Sequence, residues 1–142
     1  MIFARKKRRI ERLLVVEDEP LVAFDTEHFL TDAAFEIVAT VDRVVDACAL
    51  IDGGAAIDLV LVDVRLADGS GIDVARTAQA KGVPVLFVTG SFPPEASEVA
   101  HGFLAKPYAQ RDLLAAIRAI DSQLDGKAPK RLPPGMQLFE RA

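Results

Sequence analysis

The chain has a single cysteine, Cys48, so it forms no intramolecular disulfide, as expected for a reducing compartment. It also lacks long hydrophobic runs. The longest uncharged stretch, which includes Val83 to Pro94, contains proline and falls short of the roughly 20 residues of a membrane span. The amino-terminal stretch is basic but lacks the apolar region of a secretory signal, so a cytoplasmic protein without membrane attachment is expected. At 142 residues, a single core is expected, the length being too short for one such domain plus an effector.

About half of the residues are apolar, which marks a folded domain. The net charge of −4 is unevenly spread. Residues 1–12 carry six basic side chains against Glu11, and residues 125–142 carry four against Asp125 and Glu140, which leaves −11 on the middle of the chain. An acidic centre favours cations over nucleic acid as partners. Three regions follow: a basic extension over 1–12, a domain over 13–124 and a tail over 125–142.

Leu59 to Val62 are four consecutive apolar residues that deliver Asp63 to a polar, Gly-containing loop. This is the pattern of a buried strand with a carboxylate at its carboxyl edge, where ligands bind in open α/β sheets. Leu13 to Val16 form a similar run and end in Glu17, Asp18 and Glu19. Further strands are expected at Ile37–Val41, Pro84–Val88 and Gly102–Ala105. Helices are expected from Pro20 to about Asp32, with Leu21, Val22, Phe24, Phe29 and Leu30 inward, and after an Asp42 cap, with Val44, Cys48 and Ile51 inward. Two more are expected, over 71–79 with Ile72, Ala75 and Ala78 inward, and over 109–124 with Leu113, Ile117, Ile120 and Leu124 as its stripe.

Alternation of five strands with helices predicts an α/β doubly wound five-stranded parallel sheet, order 2-1-3-4-5. The switch point between the first and third strands then brings Glu17 and Asp18 beside Asp63. Carboxylates this close repel by roughly 4 kcal/mol per pair at 4 Å and an effective dielectric near 20. A divalent cation relieves that repulsion, and hard oxygen ligands suit Mg2+. Thr89 and Lys106, at the ends of the fourth and fifth strands, add a hydroxyl and a positive charge that suit phosphate oxygens, and Gly90 leaves room for a donor.

These residues, from about Leu13 to Leu124, resemble a response-regulator receiver domain, with the flavodoxin-like fold. The motifs stand in the family's order: Glu17 and Asp18, Asp63, Thr89, the aromatic Phe103, and Lys106 before Pro107. The resemblance implies that Asp63 is the phosphoacceptor for a histidine kinase or histidine phosphotransfer protein. It implies Mg2+ on Asp18 and Asp63, on Glu17 through water and on the Arg65 backbone carbonyl. It also implies a cis Lys106–Pro107 peptide and a switch in which Thr89 moves inward and Phe103 rotates from exposed to buried.

The family's pattern is not matched everywhere. Ala67 stands where proline is usual and Gly90 where alanine is usual. The segment between Thr89 and Lys106 is short and carries Pro93 and Pro94, so a short or mobile fourth helix is expected. Phe87, Thr89 and Gly90 are similar to the Phe-Ala-Thr-Gly signature of single-domain receivers of the FATGUY type, with Val88 in place of its alanine.

The implied function is a stand-alone response regulator of a two-component phosphorelay, signalling or relaying through protein contacts to a downstream partner, with no catalysis beyond its own phosphorylation and dephosphorylation. A pseudo-receiver binding module is the alternative, disfavoured by the intact site. A haloacid-dehalogenase-like phosphatase would need a second aspartate where Arg65 stands. His28, His101 and Cys48 read as ordinary surface or core residues. A homodimer, the role of the basic run Arg5–Arg9, and whether Leu132, Met136, Leu138 and Phe139 pack on the domain or on a partner are left open.

Overall fold

The computed structural model describes residues 8–129 and 131–139, so Arg5, Lys6 and Lys7 of the basic run lie outside the described residues. The elements are β1 (Arg12–Val16), α1 (Pro20–Asp32), β2 (Glu36–Val41), α2 (Val44–Asp52), β3 (Leu59–Val62), β4 (Arg65–Leu66), β5 (Gly69–Ser70), α3 (Gly71–Ala80), β6 (Val85–Thr89), a 3-10 helix (Pro94–Val99), β7 (Gly102–Ala105), α4 (Gln110–Leu124) and β8 (Met136–Leu138). The main sheet has the order β2-β1-β3-β6-β7-β8. Its five parallel strands follow the expected doubly wound order, giving the flavodoxin-like receiver fold, and β8 adds a sixth strand, antiparallel to β7. The short β4 and β5 pair antiparallel in the loop after Asp63.

Strand alternation explains the two-layered core. Leu13, Val15, Leu59, Leu61, Leu86 and Leu104 face one layer, packed with Leu30 of α1 and with Leu113, Ile117 and Ile120 of α4. Leu14, Val16, Val60, Val62, Val85 and Phe87 face the other, with Ala47 and Ile51 of α2 and Val74, Ala75 and Ala78 of α3. Both faces of β1, β3 and β6 are therefore covered, which is why their sequences are apolar without alternation.

Three expectations need correction. Leu21 and Phe24 of α1 are 79% and 58% exposed; Ala23 and Leu30 are the buried residues of that helix, and Phe29 is packed at the core's edge. The α1 sequence is apolar around much of its circumference, so spacing alone did not choose the inward stripe. The cap of α2 is not Asp42. Arg43 occupies the N-cap position without a side-chain bond, and the Asp68 carboxylate, from the turn between β4 and β5, accepts from the Val44 and Val45 amides at 2.6 and 3.2 Å. Cys48 is half-buried rather than fully in the core, with its Sγ 3.3 Å from Thr77 Oγ1.

The fourth helical segment is the short 3-10 helix Pro94–Val99, about two turns long, as Pro93, Pro94 and the short segment suggest. The residues after α4 pack back on the domain. Met136 is buried in the α1 and α4 layer, and Phe139 packs against the other. At the opposite end, Arg8 donates to the carbonyl of Ala34 and lies over the Phe35 ring at 4.4 Å, and Arg9 pairs with Asp125 at 3.1 Å.

Candidate functional site

Each strand's last backbone bond aims a side chain into one cleft. The Glu17 amide donates to Val41 O (2.9 Å), the Asp63 amide to Val16 O (3.1 Å) and the Lys106 amide to Thr89 O (3.0 Å). The β1–β2, β1–β3 and β6–β7 ladders thus extend by one rung each, and the polar residues that end β1, β3 and β7 meet at the carboxyl edge. Glu17, Asp18 and Asp63 each offer a carboxylate oxygen, and the three atoms lie within 4.8 Å of one another. Glu17 and Asp63 are buried, while Asp18 is exposed at the mouth.

Lys106 holds this cluster together. Its Nζ donates to Glu17 Oε1 at 2.6 Å and to Asp63 Oδ2 at 2.8 Å. Burial works against the ammonium, but the hydrogen bonds and charges of Asp63 and Glu17 outweigh it and raise the Lys106 pKa. Glu17 is also pushed upward, first by burial and in addition by the Asp63 charge, against the opposing pull of Lys106 and the Glu19 amide. Burial therefore governs Glu17, whereas charge pairing governs Lys106. The other Asp63 oxygen, Oδ1, accepts from the Arg65 amide at 3.2 Å, which fixes the carboxylate's orientation. The Lys106–Pro107 peptide is cis.

Gly71 fixes the position of Asp63 from behind. A Cβ on Gly71 would stand 2.0 Å from the Asp63 carbonyl oxygen and 2.9 Å from Val62 Cγ2, so α3 starts against the end of β3 only because the residue is glycine. The loop between them is tied to α2 by Asp68, whose carboxyl the Val44 amide holds below the usual aspartate range. No sequence motif marks Asp68 or Gly71 as supports of the site. A Gly-containing loop directly after a strand-end acid was the signal that pointed near them.

Thr89 is joined to the site through its carbonyl, which accepts from the Lys106 amide, and Phe103 lies on the neighbouring strand β7. Thr89 is buried, and its hydroxyl donates to Ser91 O at 3.1 Å. Phe103 is half-buried and stacks on Phe92 with ring centroids 4.4 Å apart. A Cβ on Gly90 would touch nothing within 4 Å, so this glycine serves no packing need.

The donor set fits magnesium: three carboxylates converge, and two of them are already partly compensated by Lys106. Together, the doubly wound sheet, the strand-end acids and the lysine beside a buried aspartate define an α/β domain with an acidic site at the carboxyl edge of its sheet. A family model described as the response regulator receiver domain matches residues 13–118, and the chain belongs to that family. Receiver domains are the signalling modules of two-component systems and typically bind Mg2+ in such an acidic pocket.

The chain is similar to the sensory transduction protein RegX3 of Mycobacterium tuberculosis, with 36% identity over 76% of this chain and 49% of that protein. It is also similar to the regulatory protein VirG of Agrobacterium tumefaciens, with 29% identity over 82% of this chain and 45% of that protein. It thus spans about half the length of these relatives. Among solved structures, a response regulator receiver protein from Sinorhizobium medicae matches with a TM-score of 0.68 and 28% identity, covering 77% of this chain and 92% of the other. No helix among the described residues is long and apolar enough to cross a membrane.

Proposed function

We propose that Asp63 accepts a phosphoryl group from the phosphohistidine of a histidine kinase or a histidine phosphotransfer protein, and that the phosphorylated domain signals or relays through protein contacts. The observation that carries this reading is the placement of Lys106 Nζ, 2.8 Å from Asp63 and 2.6 Å from Glu17, at the strand edge where Asp18 opens to solvent. An Asp63 oxygen forms the new P–O bond as the P–N bond to the histidine breaks, and the departing imidazole keeps the electron pair and takes up a proton. Lys106 exchanges a carboxylate contact for a phosphoryl oxygen, and Thr89 donates its hydroxyl to another. Asp18, Asp63 and the Arg65 carbonyl, with Glu17 through water, are the groups that would hold magnesium, which offsets the charge of the incoming phosphoryl group. Phe103, which pairs with Phe87 two residues before Thr89 in the β6–β7 ladder, reports the change to the surface.

A small phosphodonor separates this reading from a binding module that is never phosphorylated. With acetyl phosphate and magnesium, the intact mass is expected to rise by one phosphoryl group in the wild type and to stay unchanged in Asp63→Asn. An unchanged wild-type mass with both a small donor and a histidine kinase overturns the proposal.

A further inference from the structure

Phosphoryl chemistry does not account for the aromatic cluster beside Thr89. Phe92 stacks on Phe103 at 4.4 Å and on Phe139 at 5.6 Å, and meets Phe87 edge-on at 5.8 Å. Phe139 is brought there by the segment that follows α4. Its strand β8 pairs with β7 in the register Gly102 to Leu138, Phe103 to Gln137 and Leu104 to Met136. The segment is fastened at both ends: the Ala105 amide donates to Gly135 O at 3.0 Å, and the Phe139 amide donates to His101 O at 2.9 Å. Gln123 of α4 adds a bond to Phe139 O at 2.6 Å. The close approach depends on Gly102, where a Cβ would stand 3.0 Å from Gln137 O and 3.3 Å from Met136 Cε.

This segment lies on the residues that would have to move when Thr89 turns. The Thr89 hydroxyl donates to Ser91 O, and Phe92 follows directly in the chain. Drawing the hydroxyl toward a phosphoryl oxygen breaks that bond and shifts the 89–92 turn, which takes Phe92 off the Phe103 and Phe139 rings. A three-residue strand held by few bonds at a sheet edge opens readily compared with the core strands.

We propose that Met136–Phe139 is an intramolecular latch on the switch face, seated when Asp63 is free and released when it is phosphorylated. Release uncovers the outer edge of β7 and the Phe92–Phe103 face, an edge then open to pairing with another chain. The inference rests on the phosphoacceptor reading. Coupling between two sites is reciprocal, so a latch that phosphorylation weakens must itself oppose the phosphorylated arrangement.

The test uses the full chain with magnesium and fluoroberyllate as an acyl-phosphate mimic. Phe139→Ala removes the outer ring, and Gly102→Val blocks the crossing of β8; neither touches the acid cluster. Each variant is expected to bind fluoroberyllate about fivefold or more tightly than the wild type, within the usual range of coupling between sites. In the wild-type complex, the Ala105 and Phe139 amides are expected to lose hydrogen-exchange protection. Wild-type affinity in a folded Phe139→Ala, or full protection of both amides in the complex, overturns the latch while leaving Asp63 as acceptor. Failure of the wild type to bind fluoroberyllate at all overturns both.

Discussion

Lys106 and Asp63 lie 43 positions apart in sequence, yet their Nζ and Oδ2 are 2.8 Å apart, and the same ammonium reaches Glu17 at 2.6 Å. One cation thus compensates two buried carboxylates where a metal would add a second. Lys106→Met leaves both acids without that partner. In metal-free buffer it is expected to destabilise the fold by about 3 kcal/mol, as measured by urea unfolding, the usual cost of breaking a buried ion pair. The same variant should bind magnesium about tenfold more tightly in a calorimetric titration, because a competing positive charge has gone. Equal stability and equal affinity would show that the pair is a surface contact.

Glu17 gives the stability a pH dependence whose sign follows from its burial. Its folded-state pKa is raised, so the folded chain holds this proton at pH values where the unfolded chain has lost it. Stability from this group is present below the ordinary glutamate range and is lost as pH rises through the raised value. Asp68 and Asp125 are shifted the other way by their hydrogen bonds, and their contribution is lost only at more acid pH, as it falls through their lowered values. Melting temperatures recorded without metal should therefore fall with rising pH just above the ordinary glutamate range, and this component should vanish in Glu17→Gln. A persistent slope in that variant would assign it to another group.

The sequence carried most of the sheet and of the site because both depend on runs that end in a charge. Three strands, β1, β3 and β6, of almost wholly buried residues admit few arrangements, and strand ends in such a sheet have one place to meet. Asp63, Glu17, Asp18, Thr89 and Lys106 were therefore legible together. What was not legible depends on contacts distant in sequence. The sixth strand, Met136–Leu138, is too short and too weakly patterned to be told from a loop, and it forms because β7 offers it an edge.

Asp68 is a case of such a distant contact, since its carboxylate caps α2 from another loop. Asp68→Ala leaves the Val44 and Val45 amides without a side-chain acceptor. It should lower the urea midpoint with an unchanged slope, and Asp68→Asn, which keeps an acceptor oxygen, should recover most of the loss. Equal midpoints for Asp68→Ala and the wild type would mean that solvent caps the helix as well as the side chain does.

Leu21 and Phe24 show the converse limit, in which the sequence suggested burial and the structure exposes them at 79% and 58%. Ala23 takes the inward position because small residues let α1 lie close on the sheet, and Leu30 completes the contact. Phe24 instead lies against His28, with ring centroids 4.1 Å apart. Leu21→Ser and Phe24→Ser are therefore expected to change stability by no more than about 0.5 kcal/mol. Leu30→Ala, fully buried on the same helix, should cost about 3 kcal/mol. A loss near that size for Phe24→Ser would place its ring in the core.

Gly71 tests whether the position of Asp63 or merely its chemical identity matters. The residue opens α3 directly behind Asp63, and a Cβ there would stand 2.0 Å from the Asp63 carbonyl oxygen, a backbone atom that no side-chain rotation can move away. Gly71→Ala must push α3 or the end of β3, and a misfit of this kind in a packed region costs about 1–3 kcal/mol. The displacement falls on the residue whose carboxylate bonds Lys106 and the Arg65 amide, so phosphoryl uptake from acetyl phosphate should slow even where the variant remains folded. Gly54→Ala is the control: a Cβ there meets nothing within 4 Å, and its strain arises from a positive φ of 80° far from the site. It should lower stability while leaving the uptake rate of the folded protein unchanged. If the two variants slow uptake equally, the effect belongs to global stability, and Gly71 has no positioning role.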